Sequence, residues 1–232
     1  MPHPYKQFYR RKLPHIQPPN ATFFVTFRLA GSVPKSELAQ WKQEKRWLEG
    51  ECRRLTGADE SPLEIDQQQR ARLQEFHRSW FVKFEEILHK EETGPVWMKD
   101  PLVADLIQES LHYRDGKVFR LDSYSIMSNH VHTVFKPFLN DRSLRVVAGS
   151  RPLMYESADS TLGVIMKSLK GYTAREANRI LGRKGAFWEA ESYDHVIKKD
   201  SEYERVVKYV LNNPVKAGLV KNWRDWKWNW RR

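Results

Sequence analysis

Between Tyr124 and Phe135 the chain runs Tyr-Ser-Ile-Met-Ser-Asn-His-Val-His-Thr-Val-Phe, and this segment constrains the fold more than any other. Apolar and β-branched residues flank Ser128-Asn129, a pattern that reads as strand, tight turn, strand. Side chains on a strand alternate faces with a period of two. His130 and His132 therefore point one way while Val131 points to the core. Two imidazoles side by side on a rigid strand form half of a divalent metal site.

The rest of the pattern places this hairpin in an α+β protein. Ala21 to Leu29 is dense in β-branched and aromatic residues and reads as a buried strand. After a turn at Gly31 to Pro34, Ser36 opens a helix with a stripe at Leu38, Trp41, Lys45 and Leu48, ending near Gly57. A polar break, Ala58 to Pro62, separates it from a second helix over about Ile65 to Lys90, which carries Leu73, Phe76, Trp80, Phe81, Phe84, Ile87 and Leu88 on one side. Asp100-Pro101 opens a third helix, with Asp as N-cap and Pro at the first helical position, running to about Tyr113. Strands follow at Lys117 to Met127 and at His130 to Lys136, then a loop-like stretch from Pro137 to Asp159.

Ser160 caps a helix over Thr161 to Leu181, with Gly182 just past its end. Phe187 to Ile197 is extended. A last helix opens at Lys199-Asp200-Ser201 and stops at Asn213-Pro214, because proline cannot continue the hydrogen-bond ladder. The order predicts one domain over 1–232 with an antiparallel sheet, a helical insertion at about 36–115 and a basic, Trp-rich tail at about 221–232.

Charge narrows the partners. Lys and Arg number 40 against 29 Asp and Glu, for a net charge of +11 and a pI near 9.7. Such a balance favours polyanions, nucleic acid first. A single cysteine, Cys52, excludes a disulfide framework and a multi-Cys zinc site within this chain. No apolar run approaches the ~18–20 residues that span a bilayer. The basic N-terminus lacks the apolar core of a secretory signal. These features predict a cytoplasmic, non-membrane protein.

Completing the metal half-site requires ligands from elsewhere in the chain. Tyr209 and Asn213 are four apart in a helical stretch, which puts them on one face with Cβ atoms about 5–6 Å apart. Asn213 offers a neutral oxygen suited to Mg²⁺ or Mn²⁺, and Tyr209 offers a phenol able to act as a covalent nucleophile. Tyr124, Tyr172, Tyr193 and Tyr203 are rival nucleophiles, Tyr172 the most serious because it lies in a basic helix. Other metal-dependent or histidine-based classes fit less well. A histidine-triad hydrolase needs a third histidine where Val134 stands, and a two-histidine phosphoesterase needs two separate His-x-Ser/Thr motifs, which His130 and His132 do not supply. Asn213 has a bland alternative as a helix cap, and the Lys/Arg run has one as a solvated helix face.

The chain resembles the single-tyrosine HUH transposases, and within them the REP-associated tyrosine transposases. Four blocks in order carry the resemblance: Ser123 to Val134; Leu169-Lys-Gly-Tyr-Thr-Ala174 with Asn178; Gly185 to Val196; and Tyr209-Val-Leu-Asn-Asn-Pro-Val-Lys-Ala-Gly-Leu219. The strand Phe23 to Arg28 also fits. The resemblance implies a ferredoxin-like palm with helices on one face of its sheet. It implies His130, His132 and Asn213 as metal ligands and Tyr209 as the nucleophile that forms a 5′-phosphotyrosine. It implies single-stranded or hairpin DNA as the substrate, no small-molecule cofactor, a bacterial nucleoid setting, and a monomer or homodimer. The competing class is a non-catalytic nucleic-acid-binding module derived from such a nuclease. Candidate nucleic-acid contacts are Lys167, Lys170, Arg175, Arg179, Arg183, Lys216 and Trp188, the last equally suited to the core. Of the tail tryptophans, Trp223 and Trp226 are expected to pack, while Trp228 and Trp230 suit either packing or base stacking.

Overall fold

The computed structural model describes residues 8–10, 14–16, 20–55, 62–138 and 161–232. Most of the loop expected at Pro137 to Asp159 and the cap expected at Ser160 fall outside them. Within the N-terminal stretch, β1 (Phe8–Arg10) and β2 (Pro14–Ile16) pair antiparallel.

The central sheet has five strands, all paired antiparallel: β3 (Thr22–Arg28), β4 (Phe119–Ile126), β5 (His130–Pro137), β6 (Tyr193–Ile197) and β7 (Asn229–Arg231). Their spatial order is β6-β3-β5-β4-β7. The first four strands, with α3 (Pro101–Arg114) before β4 and α4 (Thr161–Ile180) before β6, make the ferredoxin-like β-α-β-β-α-β unit. α5 (Asp200–Leu211), a short turn of helix α6 (Asn213–Lys216) and β7 follow.

Alternation along β3 and β5 divides the sheet faces. Phe23, Val25, Phe27, Val131 and Phe135 join Ile107 and Leu111 of α3 and Ile165 and Leu169 of α4 in one buried cluster. The two crossover helices thus cover one face. Phe24, Thr26, His130 and His132 turn to the other, where α5 brings Tyr209 against Phe24. α3 begins as its sequence indicates: Asp100 accepts from the Leu102 N–H at 2.9 Å. Gly182 follows α4 with φ +60°, the left-handed residue expected there.

β4 holds a feature that period-two reading does not anticipate. Leu121 pairs with Phe135 but Ser123 pairs with Val134, so Asp122 is an extra residue, a β-bulge. The bulge resets the alternation, and Tyr124 and Ile126 join Leu121 in the core. Tyr124 meets His112 Nε2 at 3.0 Å and stacks on Trp230 of β7. Burial pushes its phenol well above the ordinary tyrosine range. A group whose folded pKa is raised contributes stability below its unfolded pKa and loses it as pH rises. Stability is therefore expected to fall as pH climbs past ~10. Tyr124→Phe should flatten that alkaline slope in urea melts, and an unchanged slope would count against the buried phenol as its source.

The tail packs. Trp228 and Trp230 lie against the core cluster. Trp228 Nε1 donates to Asp105 at 2.7 Å, and Trp226 Nε1 donates to the Ile126 carbonyl at 3.0 Å. β7 extends the sheet at β4, an element absent from the sequence-based order.

Gly31–Pro95 forms a compact unit of its own, built from α1 (Lys35–Leu55) and α2 (Pro62–Lys90). Trp80 Nε1 donates to Glu44 at 2.8 Å and Lys83 pairs with Glu37 at 2.8 Å, joining the two helices. The insertion thus ends at Pro95 rather than near residue 115. α3 belongs to the palm because its apolar face, Val103, Ala104, Ile107 and Leu111, is part of the sheet's core.

Candidate active site

His130 and His132 lie on β5, with ring centroids 4.6 Å apart. Both are fully buried, at 1% and 0% exposure. Each has its Nδ1 held by a neighbour. His130 Nδ1 meets Asn129 Oδ1 at 2.6 Å. An amide oxygen only accepts, so this contact puts the proton on Nδ1 and the lone pair on Nε2. His132 Nδ1 meets Thr26 Oγ1 at 2.7 Å, from the residue directly opposite in the β3–β5 register, and the hydroxyl can accept in the same way. Two imidazoles oriented at Nδ1 by a second layer of hydrogen bonds, with Nε2 left to act as ligand, suit a divalent cation. The donor set of the histidine face therefore fits the expected metal, with His130 and His132 as the residues that would hold it.

The turn geometry explains why Asn129 is available. Met127 N–H donates to the His130 carbonyl at 2.9 Å, closing the hairpin, and the Asn129 carbonyl accepts from Leu29 N–H at 2.8 Å. Asn129 is 0% exposed, so its side chain lies beside the first histidine rather than in solvent. Neither Thr26 nor Asn129 was singled out from the sequence. The adjacency of Asn129 to His130 was a usable local signal. Thr26 had none, because its partner lies 106 residues away.

Tyr209 reaches this face from α5. Its ring centroid is 5.6 Å from that of His132 and 5.9 Å from that of Phe24. Lys216 Nζ sits 4.2 Å from the centre of the same ring, which places a cation beside the phenol. Val207, Val210 and Leu211 are the buried side of α5, and they seat the helix so that Tyr209 remains half-buried at the rim.

The helix stops before Pro214, as its sequence indicates. The chain breaks at Asn212, with φ −82° and ψ 3°, and then makes the turn Asn213–Lys216 with Pro214 near its start, where a missing N–H costs nothing. Asn213 is 0% exposed. The shared face expected for Tyr209 and Asn213 assumed one continuous helix, and the break at Asn212 removes that guarantee.

Three of the expected nucleic-acid contacts are engaged inside the protein. Lys170 Nζ donates to the carbonyls of Glu189 and Ala190 at 2.6 and 3.0 Å and to Ser192 Oγ at 3.2 Å, clamping the segment that leads into β6. Arg183 donates to Asn178 Oδ1 and the Ala186 carbonyl and lies 3.5 Å from the Trp97 ring centre. Trp188 is 7% exposed, packs edge-on to Phe27 at 4.8 Å and donates to Thr173 Oγ1 at 2.9 Å. It is a core residue. Lys167, Arg175, Arg179 and Lys216 are exposed. Arg175 and Arg179 both pair with Glu176.

Fold and site define an α+β palm with a buried histidine pair on its sheet and a tyrosine beside it. No family model matches the chain. A protein of Haemophilus influenzae, described as uncharacterized, is 26% identical over 102 residues, which cover 41% of this chain and 54% of that relative. The chain thus spans about half the length of the relative it matches. A solved structure described as a REP-associated tyrosine transposase bound to a REP hairpin aligns over 95% of this chain and 80% of its own, at 17% identity and a TM-score of 0.41. No helix among the described residues is long and apolar enough to cross a membrane.

Proposed function

We propose that this chain is a metal-dependent endonuclease and strand transferase for single-stranded, hairpin-bearing DNA, with Tyr209 as its nucleophile. The observation that carries the reading is the 5.6 Å separation between the Tyr209 and His132 rings, which joins a nucleophile candidate to the histidine pair from 77 residues away along the chain. The net charge of +11 suits a polyanionic substrate.

His130 and His132 would hold Mg²⁺ or Mn²⁺, with Asn213 as a third ligand. The bound cation would polarise the scissile phosphate and offset charge on its oxygens. The Tyr209 Oη attacks phosphorus, a tyrosine–phosphate ester forms at the 5′ end, and the bond to the 3′ oxygen breaks. The 3′ oxygen leaves as a hydroxyl, and the phenol's proton balances that step. Lys216, beside the phenol, supplies positive charge where the phosphate arrives. No water is activated, so a carboxylate base has no role. A cytoplasmic setting near the nucleoid and action as a monomer or homodimer belong to the same proposal.

Incubation with Mn²⁺ and end-labelled hairpin DNA is expected to give a covalent adduct on a denaturing gel, and Tyr209→Phe to abolish it. An adduct that survives Tyr209→Phe, or none with any hairpin tested while salt-sensitive DNA binding persists, would overturn the assignment in favour of a binding module.

A further inference from the structure

The outer surface of the α3–α4 layer, on the far side of the sheet from the histidines, carries two large exposed aromatics. Tyr113 near the end of α3 is 61% exposed and Tyr172 on α4 is 41% exposed. Single exposed aromatics are ordinary; here a buried cation lies against Tyr172 and an exposed one over Tyr113. Arg114 is 8% exposed. It donates to the Ser110 carbonyl at 2.9 Å, to Ser110 Oγ at 2.6 Å and to Ser168 Oγ at 3.3 Å, and its guanidinium lies 5.8 Å from the Tyr172 ring centre. Burial pulls Arg114 down from the ordinary arginine range, and the phenols of Tyr172 and Tyr113 act against that shift.

Further cations flank the rings. Lys117 Nζ lies 3.6 Å from the centre of Tyr113 and Arg175 lies 5.8 Å from that of Tyr172. Two carboxylates share the neighbourhood. Glu176 is held by Arg175 and Arg179, and Glu109 stands exposed one turn before Tyr113. The balance stays positive.

The geometry points to a second nucleic-acid site here: Tyr113 and Tyr172 stack unpaired bases of a single strand while Lys117 and Arg175 meet its phosphates. Exposed rings interleaved with cations are how sequence-tolerant single-strand binding is built. Paired bases offer no face to such rings, so the site selects single strands over duplex. Its position requires the strand bound there to be a flank of the DNA acted on at the histidine face, or a separate strand. The inference rests on the nucleic-acid reading above, but not on its chemistry.

The test uses the full chain and an oligothymidylate carrying 5-iodouracil, irradiated without divalent metal, with the crosslinked peptides mapped by mass spectrometry. Crosslinks to the peptides bearing Tyr113 and Tyr172 are expected; crosslinks confined to other peptides would overturn the site. In anisotropy titrations, Tyr113→Ala and Tyr172→Ala should each weaken binding about tenfold, while the Phe variants keep it. Equal binding by the double Ala variant would also overturn it. So would equal binding of an abasic strand of the same charge, or equally strong competition by polyglutamate. An adduct at Tyr209 without these crosslinks sinks this inference alone. The crosslinks without an adduct sink only the cleavage chemistry.

Discussion

His132→Ala is expected to weaken Mn²⁺ binding at least ~100-fold by calorimetry and to remove the covalent DNA adduct, since half of the imidazole set is lost with it. Thr26→Val is the sharper probe. Valine matches threonine in shape but cannot accept from His132 Nδ1, which Thr26 Oγ1 meets at 2.7 Å. The ring then loses the partner that orients its Nδ1, and a buried polar nitrogen left without one costs about 1–3 kcal/mol. Loss of such an outer partner typically lowers metal affinity or activity ~10–100-fold. A Thr26→Val protein that binds Mn²⁺ like the parent would sink the role given to Thr26. An unaltered His132→Ala protein would sink the metal site itself.

Trp188→Ala is expected to cost about 3–5 kcal/mol and to lower Tm by roughly 10 °C, with little effect on DNA affinity measured well below the new Tm. The indole contacts Phe27 and Phe187 at 4.8 and 4.7 Å between ring centroids. Its N–H is satisfied by Thr173 Oγ1, itself 0% exposed. Truncation leaves a cavity between β3 and α4 and removes a buried hydrogen bond. A Trp188→Ala protein that melts like the parent but binds DNA poorly would restore the base-stacking alternative and contradict the packing described above.

Local signals made much of the palm legible in the sequence. The strand around Phe23 to Arg28, the hairpin carrying the histidines, the Asp100-Pro101 helix start and Gly182 all depend on neighbours close in the chain. What escaped depends on pairing across long separations. The bulge at Asp122 shows only once Leu121 and Ser123 are matched to Phe135 and Val134. β7 exists as a strand only because it lies beside β4, and its three residues carry too weak a pattern to stand alone. The basic helix face looked uniform in sequence, yet Lys170 is drawn inward by carbonyls 19 and 20 residues on, and Arg183 by one 3 residues away. α3 was grouped with the insertion because it follows two other helices, and only its burial against the sheet assigns it to the palm. The histidine pair was read directly. Its supports, Thr26 and Asn129, and the nearness of Tyr209 came from tertiary structure.

Gly94 has φ +82°, and a Cβ there would lie 2.4 Å from the Gly31 carbonyl oxygen. The α1–α2 unit therefore begins and ends at one spot, with its two terminal backbones too close for any side chain between them. For the nascent chain this has a kinetic meaning. β3 must find β5 across a very long stretch of sequence, and distant pairings are slow because loop closure comes first. Once the helical pair has folded and drawn Gly31 to Gly94, that distance shortens by the length of the insertion, leaving α3 and β4 between the two strands. The insertion would then act as an intramolecular splint that shortens the search for the palm's central strand pair.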